Sequence, residues 1–175
     1  MPITIRRSRF RRLPWTAVAL FIALACSKGD DFQAISKLID KARELGEKHD
    51  IGELMNLATG DFTASPGDLD SRSTRAVLWR AFRYYGKFRI HHPSPGVDLE
   101  PGGERASASL PFLIVREDVS FPKLKELARD PKRWLEEVGE SADPYWLDIE
   151  LVKDKGRWLV HRAHVRAFTG RSFRE

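Results

Sequence analysis

The sequence contains little cysteine, no long hydrophobic run and little excess of charge of either sign. Cys26 is the one cysteine among 175 residues, so no disulfide can form within the chain and the fold depends on its core. The main apolar stretch, residues 13–25, is shorter than the roughly 20 helical residues that span a bilayer core. No transmembrane helix is therefore expected.

The charge of the chain is concentrated at its start. There are 30 lysines and arginines against 25 acidic residues, a net charge of +5. The excess equals the five arginines of the first twelve residues, which are Arg6, Arg7, Arg9, Arg11 and Arg12. From Cys26 onward the charges balance, so net charge supports no phosphate-binding field and no nucleic-acid partner is expected.

The first 26 residues have the pattern of a secretory signal, because the arginines precede an apolar stretch that ends in small residues. The segment Ala23-Leu24-Ala25-Cys26 resembles the lipobox of bacterial lipoproteins, although that family usually has the leucine one position earlier. The resemblance implies that residues 1–25 are a lipoprotein signal peptide, that Cys26 is lipidated, and that residues 26–30 form a tether. The protein is then expected at the bacterial cell envelope, anchored to a membrane and facing the periplasm.

The anchor is physically consistent, since two or more acyl chains hold a protein stably at a membrane. By the same resemblance, Ser27 after the cysteine favours the outer membrane over the inner one. The alternative is an ordinary secretory signal with a free cysteine nearby. A twin-arginine signal is a further alternative for Arg6-Arg7, although Phe10 follows one position later than that signal requires.

Apolar spacing predicts helices in the first half of the chain and strands in the second. The predicted helices cover residues 31–45, 51–57 and 72–85, with caps at Asp30 or Asp31 for the first and at Asp70 or Ser71 for the third. A loop is predicted at 60–73. The predicted strands cover residues 88–92, 97–100, 105–116, 145–153 and 157–168, with a helical insertion at 122–138. Residues 153–156 form a hairpin turn.

Two predicted faces decide which residues point inward. In the third helix the inward set is Val77, Leu78, Ala81, Phe82, Tyr84 and Tyr85, with Trp79 at its margin, while Arg75, Arg80 and Arg83 cover the other side. In the last strand, period-two alternation places Leu159, His161, Ala163, Val165 and Ala167 on one apolar face.

Two segments resemble the nuclear transport factor 2-like superfamily, which includes SnoaL-like and ketosteroid isomerase-like proteins. They are LMNLATGDFTASPG at 54–67, with an Asp61-Phe62 pair, and KDKGRWLVHRAHVRAF at 153–168, with Trp158 after a turn at Gly156. The resemblance covers residues 31–169. It implies an α+β fold in which a cone-shaped, curved mixed sheet wraps the N-terminal helices, and a homodimer formed through the sheet.

Five residues are candidates for a ligand pocket at the mouth of the cone: Trp79, Phe82, Tyr85, Tyr145 and His161. The alternative is that the aromatic ones are ordinary core. His161, on an apolar face, is also the candidate general base. His161 and His164 are three apart on a strand and so point to opposite faces, which excludes a metal pair. No metal site and no cofactor are expected.

The sequence shows no carboxylate at an inward strand position, which argues against isomerase chemistry even though Tyr84 or Tyr85 could donate to an enolate oxygen. Asp148 and Glu150 point outward and are expected to be solvated or to pair with Arg162 or Arg166. The favoured hypothesis is non-catalytic binding of a small apolar ligand or a protein partner. The alternative is a SnoaL-like or ketosteroid isomerase-like enzyme with His161 as base.

Overall fold

Three helices and one seven-stranded sheet make up the fold in the computed structural model, which describes residues 16–117 and 142–167 and the side chains from residue 29 onward. The elements in chain order are α1 (Thr16–Glu47), α2 (Ile51–Met55), β1 (Ala58–Ser65), β2 (Leu69–Asp70), α3 (Ser71–Tyr85), β3 (Phe88–His91), β4 (Gly96–Leu99), β5 (Arg105–Arg116), β6 (Ala142–Asp154) and β7 (Arg157–Ala167). The insertion predicted at 122–138 lies outside the described residues.

The sheet has the strand order β2-β1-β7-β6-β5-β3, and β4 pairs with β5 beside β3. All pairs are antiparallel except β1 with β7, which run parallel. The predicted hairpin is confirmed, because β6 and β7 are joined by Lys155 and Gly156, both at positive φ (48° and 78°). That conformation is the one a two-residue hairpin turn requires.

The core lies between the C-terminal half of α1 and the inner face of β5, β6 and β7. Ile35 and Ile39 are one helical turn apart and are 0% and 5% exposed. They pack against Ala106, Ala108, Leu110, Ile149, Leu151 and Trp158. Burying one large aliphatic side chain contributes about 1.5–3 kcal/mol. This part of the inner face is therefore filled by side chains, and polar groups meet at another part of it.

The first helix begins earlier than its capping residues predict. Its backbone is helical from Thr16, and residues 26–30, predicted to be a tether, are continuous with it. Asp31 is not a cap. Its carboxylate is buried and accepts hydrogen bonds from Lys153 Nζ (2.6 Å) and Trp158 Nε1 (2.9 Å), which join α1 to the β6–β7 hairpin. Among the described residues no helix is both long enough and apolar enough to cross a membrane.

The third helix is capped as predicted but is rotated relative to its predicted inner face. Asp70 Oδ1 accepts from the Ser73 amide at 2.7 Å. Val77 and Tyr84, predicted to point inward, are 38% and 70% exposed. The buried side instead contains Thr74, which a hydrophobic pattern does not register.

The predicted loop at 60–73 is wrong over most of its length. Residues 58–65 form β1, which pairs with β7, and only residues 66–68 turn the chain into the short β2. Phe62 is the single buried residue of β1. The strand is held by backbone pairing with β7 rather than by an apolar face, so its sequence of small and polar residues resembles a loop.

A β-bulge at His161 divides β7 and reverses which of its residues point inward. Glu150 pairs with Arg162 and Leu151 pairs with Val160, so His161 is an extra residue in the ladder. Because of this extra residue, Trp158 lies on the inner face and belongs to the core, 5% exposed. Leu159 lies on the opposite face of the strand. The predicted single face from Leu159 to Ala167 is therefore wrong.

Candidate functional site

Two half-buried tyrosines and one exposed aspartate meet where α3 ends against the start of β6. Tyr85 Oη donates to Asp143 Oδ2 at 2.7 Å and lies 2.8 Å from Tyr145 Oη. A phenol has one proton to donate. Because Tyr85 directs its proton to Asp143, Tyr145 must donate to Tyr85. We call Tyr85, Asp143 and Tyr145 the tyrosine cluster.

Local sequence features place each member of the tyrosine cluster. Tyr85 is the last residue of α3, whose end is set by Gly86 at φ 62°, a conformation that glycine adopts without strain. Asp143 and Tyr145 are two residues apart on β6, so they share one face of the sheet. A helix end and a strand start thus bring three oxygen-bearing side chains together.

The environment of Tyr85 keeps its hydroxyl protonated. Burial raises the pKa of Tyr85 well above that of a free tyrosine, and the hydrogen bonds with Tyr145 and Asp143 raise it further. Losing the proton would put a second negative charge beside the Asp143 carboxylate. Tyr85 is therefore a hydrogen-bond donor over the whole physiological pH range.

Aromatic rings surround the tyrosine cluster on the side of α3 and β5. The ring of Phe112 stacks on Tyr145 with centroids 5.4 Å apart, and Phe88 meets the edge of Tyr85 at 5.9 Å. His49 stacks on Phe82 at 5.0 Å and on Phe88 at 5.2 Å. We call His49, Phe82, Phe88 and Phe112 the aromatic wall. The site thus combines flat apolar surface with a chain of hydroxyl and carboxylate groups.

The structure brings three of the five predicted ligand residues together. Phe82 belongs to the aromatic wall, and Tyr85 and Tyr145 belong to the tyrosine cluster. Trp79 does not join them, because it lies on the solvent side of α3, 53% exposed, beneath the Arg83 guanidinium at 4.7 Å.

His161 lies away from the tyrosine cluster. Its neighbour Val160 pairs with Leu151, which is six residues along β6 from Tyr145, or roughly 20 Å at about 3.3 Å per residue. His161 Nδ1 lies 3.4 Å from Thr59 Oγ1 and 3.4 Å from Asp61 Oδ1. The hydrogen bond from Thr59, with smaller contributions from the backbone and from His161, lowers the pKa of Asp61. The bulge thus places His161 beside the first half of β1 instead of on the predicted pocket face.

Asp143 is the residue that sequence reasoning missed. The strand was predicted to start at Tyr145, which left Asp143 in a connecting segment, whereas β6 begins at Ala142. The sequence did contain a sign of its position, because Asp143, Tyr145 and Leu147 are spaced by two residues, as residues on one face of a strand are. Asp143 is exposed, but it shares a face of β6 with Tyr145 and Leu147, so a carboxylate does lie on that face of the strand.

The outer face of the sheet carries a second set of polar groups, and its carboxylates are paired as predicted. Arg166 binds Asp148 at 2.6 Å and Arg162 approaches Glu150 at 3.5 Å. Burial raises the pKa of Asp148, but hydrogen bonds from Ser109, Arg166 and Trp146 outweigh it and lower the pKa overall. Ser109, Asp148, Glu150 and Arg162 are among the residues that line an open groove of about 890 Å³. The homodimer predicted through this sheet stays a prediction.

No group of three or more His, Cys, Asp or Glu side chains in the described part of the chain is arranged to hold a metal ion. The tyrosine cluster has a single carboxylate and two phenols, which form a hydrogen-bonding site.

No protein-family model and no curated protein matches the sequence. Solved structures do match its fold. An NTF2-like protein with a cystatin-like fold from Novosphingobium aromaticivorans is similar at a TM-score of 0.61 with 16% identity, over 93% of this chain and 95% of that one. A candidate scytalone dehydratase from the same organism gives a TM-score of 0.62 with 14% identity, over 83% and 89%.

The protein Bd1075 of Bdellovibrio bacteriovorus is also similar, at a TM-score of 0.57 with 14% identity over 78% of this chain. This chain spans 40% of the length of that protein. At these identities the likeness concerns the fold. The predicted fold, nuclear transport factor 2-like or cystatin-like with a curved mixed sheet and N-terminal helices, is confirmed.

Proposed function

We propose that the tyrosine cluster and the aromatic wall bind a small aromatic ligand that carries a hydroxyl group, without converting it. The observation that carries this proposal is the chain of hydrogen bonds from Tyr145 to Tyr85 to Asp143. The half-buried ring of Phe112 beside it supplies surface on which a flat ligand stacks, and the buried ring of Phe88 supports Tyr85 from behind.

The direction of the hydrogen bonds in the tyrosine cluster determines which polar group the ligand must carry. Both phenolic protons are used within the cluster, so what remains for a ligand is acceptor capacity, above all at the Asp143 carboxylate. An acceptor site favours a ligand that donates, such as a phenol, over one that only accepts, such as a ketone. The ligand class is therefore hydroxylated aromatic compounds.

The test is a titration of the full chain with a panel of simple phenols and their methyl ethers, which keep the ring but cannot donate. Binding of the phenols should be about tenfold weaker in Asp143→Ala, which removes the carboxylate that accepts from the ligand, the size expected for one lost hydrogen bond to a charged group. Asp154→Ala is the matched control, since it removes an exposed carboxylate at the other end of the same strand. Equal affinity for phenols and ethers, or equal loss in both variants, would contradict the proposal.

A second candidate function is proton transfer with Asp143 as the base, which the hydrogen bond between its carboxylate and the Tyr85 phenol favours. In this alternative the tyrosines would reorient to donate to an oxygen of the substrate. Asp143→Asn separates the two candidates. An enzyme should lose turnover almost completely while keeping substrate affinity, whereas a binding protein has no turnover to lose.

We also propose that the chain is held at a bacterial membrane by lipid on Cys26, as a periplasm-facing envelope protein. The proposal is supported by the sequence alone, in which arginines, an apolar stretch and Ala25-Cys26 follow one another. Intact mass of the protein from bacterial membranes tests it. Loss of residues 1–25 with a gain of acyl chains is expected for the wild type and for Ser27→Ala, and absent from Cys26→Ser. An unacylated product cut elsewhere would overturn the anchor.

A further inference from the structure

The solvent-facing side of α3 is strongly basic and exposes large aromatic rings. The helix contains four arginines and no acidic residue. Trp79 is 53% exposed and Tyr84 is 70% exposed. We call Arg72, Arg75, Trp79, Arg80, Arg83 and Tyr84 the α3 face. From residue 26 onward the chain has balanced charge, so this face is a local concentration of positive charge.

Helical spacing puts these side chains side by side. Arg72, Arg75, Trp79 and Arg83 follow one another at intervals of three and four residues, and Arg80 and Tyr84 lie on the adjacent row. The helix has 15 residues and is therefore about 22 Å long at about 1.5 Å per residue. The face is therefore an elongated surface along one side of the helix.

The arginines of this face are available to a partner. In the part of the chain that the structure describes, none of the four forms an ion pair with a carboxylate. Arg83 rests on the exposed ring of Trp79 at 4.7 Å, which holds that ring on the surface. Arg116 extends the charge past the end of the helix, since its guanidinium lies 5.0 Å from the Tyr84 ring.

We propose that the α3 face docks on an anionic lipid surface. Guanidinium groups bind phosphate oxygens in a bidentate manner, and exposed tryptophan and tyrosine rings favour the interface between headgroups and acyl chains. A flat array of negative headgroups matches a flat, one-sided basic helix in both charge and shape. An acidic protein or a nucleic acid would meet the same charge, and the test below includes both. The proposal is independent of the ligand at the tyrosine cluster.

The test follows Trp79 in the full chain reconstituted in vesicles, because an anchor alone would bring every variant to the membrane. The vesicles are phosphatidylcholine alone, or phosphatidylcholine with about a third phosphatidylglycerol. The signal of Trp79 is isolated among the five tryptophans by subtracting that of Trp79→Phe. Its quenching by acrylamide should fall roughly twofold or more in the anionic vesicles only, and recover in high salt.

Paired charge reversals show whether the α3 face is responsible. Arg75→Glu with Arg80→Glu should abolish the protection of Trp79. Arg105→Glu with Arg157→Glu changes the net charge equally at exposed positions of β5 and β7 and should leave the protection intact. Circular dichroism confirms that each variant is folded.

Each other result overturns the proposal. Equal quenching in both vesicle types would mean that Trp79 does not meet anionic lipid. Equal loss of protection in both paired variants would mean that overall charge is responsible. Protection of the same size by polyglutamate or by RNA, without vesicles, would assign the face to an acidic protein or to a nucleic acid instead. Phenol affinity at the tyrosine cluster should not change in any of these variants, which keeps the two proposals separable.

Discussion

Tyr85 and Asp143 are 58 residues apart in the sequence, and the phenol of the first donates a 2.7 Å hydrogen bond to the carboxylate of the second. The bond joins the end of α3 to the start of β6 and is extended by Tyr145. It turns two side chains with no local relationship into one hydrogen-bonding site.

Stability should fall at alkaline pH because of Tyr85. Its pKa is raised in the folded protein, by burial first and then by its hydrogen bonds, from the value of 10.0 that a free tyrosine has. Above about pH 10 the unfolded chain loses this proton while the folded one keeps it, so unfolding becomes more favourable as the pH rises. Below about pH 10 the contribution is complete.

Urea unfolding at a series of pH values from neutral to alkaline measures this effect. The wild type should lose more free energy of unfolding above about pH 10 than Tyr85→Phe, which has no phenol to titrate. Tyr84→Phe should behave as the wild type does. Parallel alkaline slopes for all three proteins would show that Tyr85 titrates normally.

Replacing Asp31 should lower the free energy of unfolding far more than replacing its neighbour Asp30. Asp31→Ala leaves Lys153 and the buried Trp158 Nε1 without their acceptor, which should cost about 2 kcal/mol or more in the free energy of unfolding. Asp30→Ala removes an exposed carboxylate and should change stability by less than about 0.5 kcal/mol. Equal effects would mean that the contact does not hold α1 to the hairpin.

The same carboxylate predicts a loss of stability in acid. Burial raises the pKa of Asp31, but the hydrogen bonds from Lys153 and Trp158, with the charge of Lys153, lower it overall. A lowered pKa contributes stability that is present above the ordinary aspartate value and lost as the pH falls below it. Acid titration of unfolding should show this loss in the wild type and a smaller one in Asp31→Asn.

Adjacent truncations in β7 test the bulge. Trp158→Ala empties a core position that is 5% exposed and should cost about 3–5 kcal/mol. Leu159→Ala acts on the alternate face and should cost about 1 kcal/mol. A strand without the bulge would put Leu159 on the inner face with Ala163, and the order of the two effects would reverse. Thermal or urea unfolding of both variants decides between the registers.

His161 should not affect the ligand. Its imidazole lies at the β1 edge beside Thr59 and Asp61, well away from the tyrosine cluster. His161→Phe is therefore expected to leave phenol affinity within about twofold of the wild type. Asp143→Ala, which removes the carboxylate that accepts from the ligand, is the positive control. A tenfold loss of phenol affinity in His161→Phe would contradict this expectation and would mean that His161 is part of the ligand site.

Local pattern was sufficient wherever neighbours in sequence decide the structure. The spacing of Ile35 and Ile39 predicted the inner face of α1, Asp70 predicted the start of α3, and the Lys-Gly turn predicted the β6–β7 hairpin. The order of these elements, together with the two segments that resemble the nuclear transport factor 2-like superfamily, predicted the fold class. Phe82, Tyr85 and Tyr145 were found as candidate ligand residues because aromatic residues at inward positions are visible in a pattern.

Tertiary structure decided everything that depends on a distant partner. β1 exists because β7 pairs with it, and Asp31 is buried because Lys153 and Trp158, more than 120 residues away, satisfy its charge. One inserted residue at His161 reversed the inner face of half a strand, which no alternation pattern contains. Asp143 became part of a site only when the end of α3 was packed against it. Periodicity in the sequence shows which face of a helix or strand is apolar. Hydrogen bonds between elements depend instead on their register, and the register is determined by the packing of the whole chain.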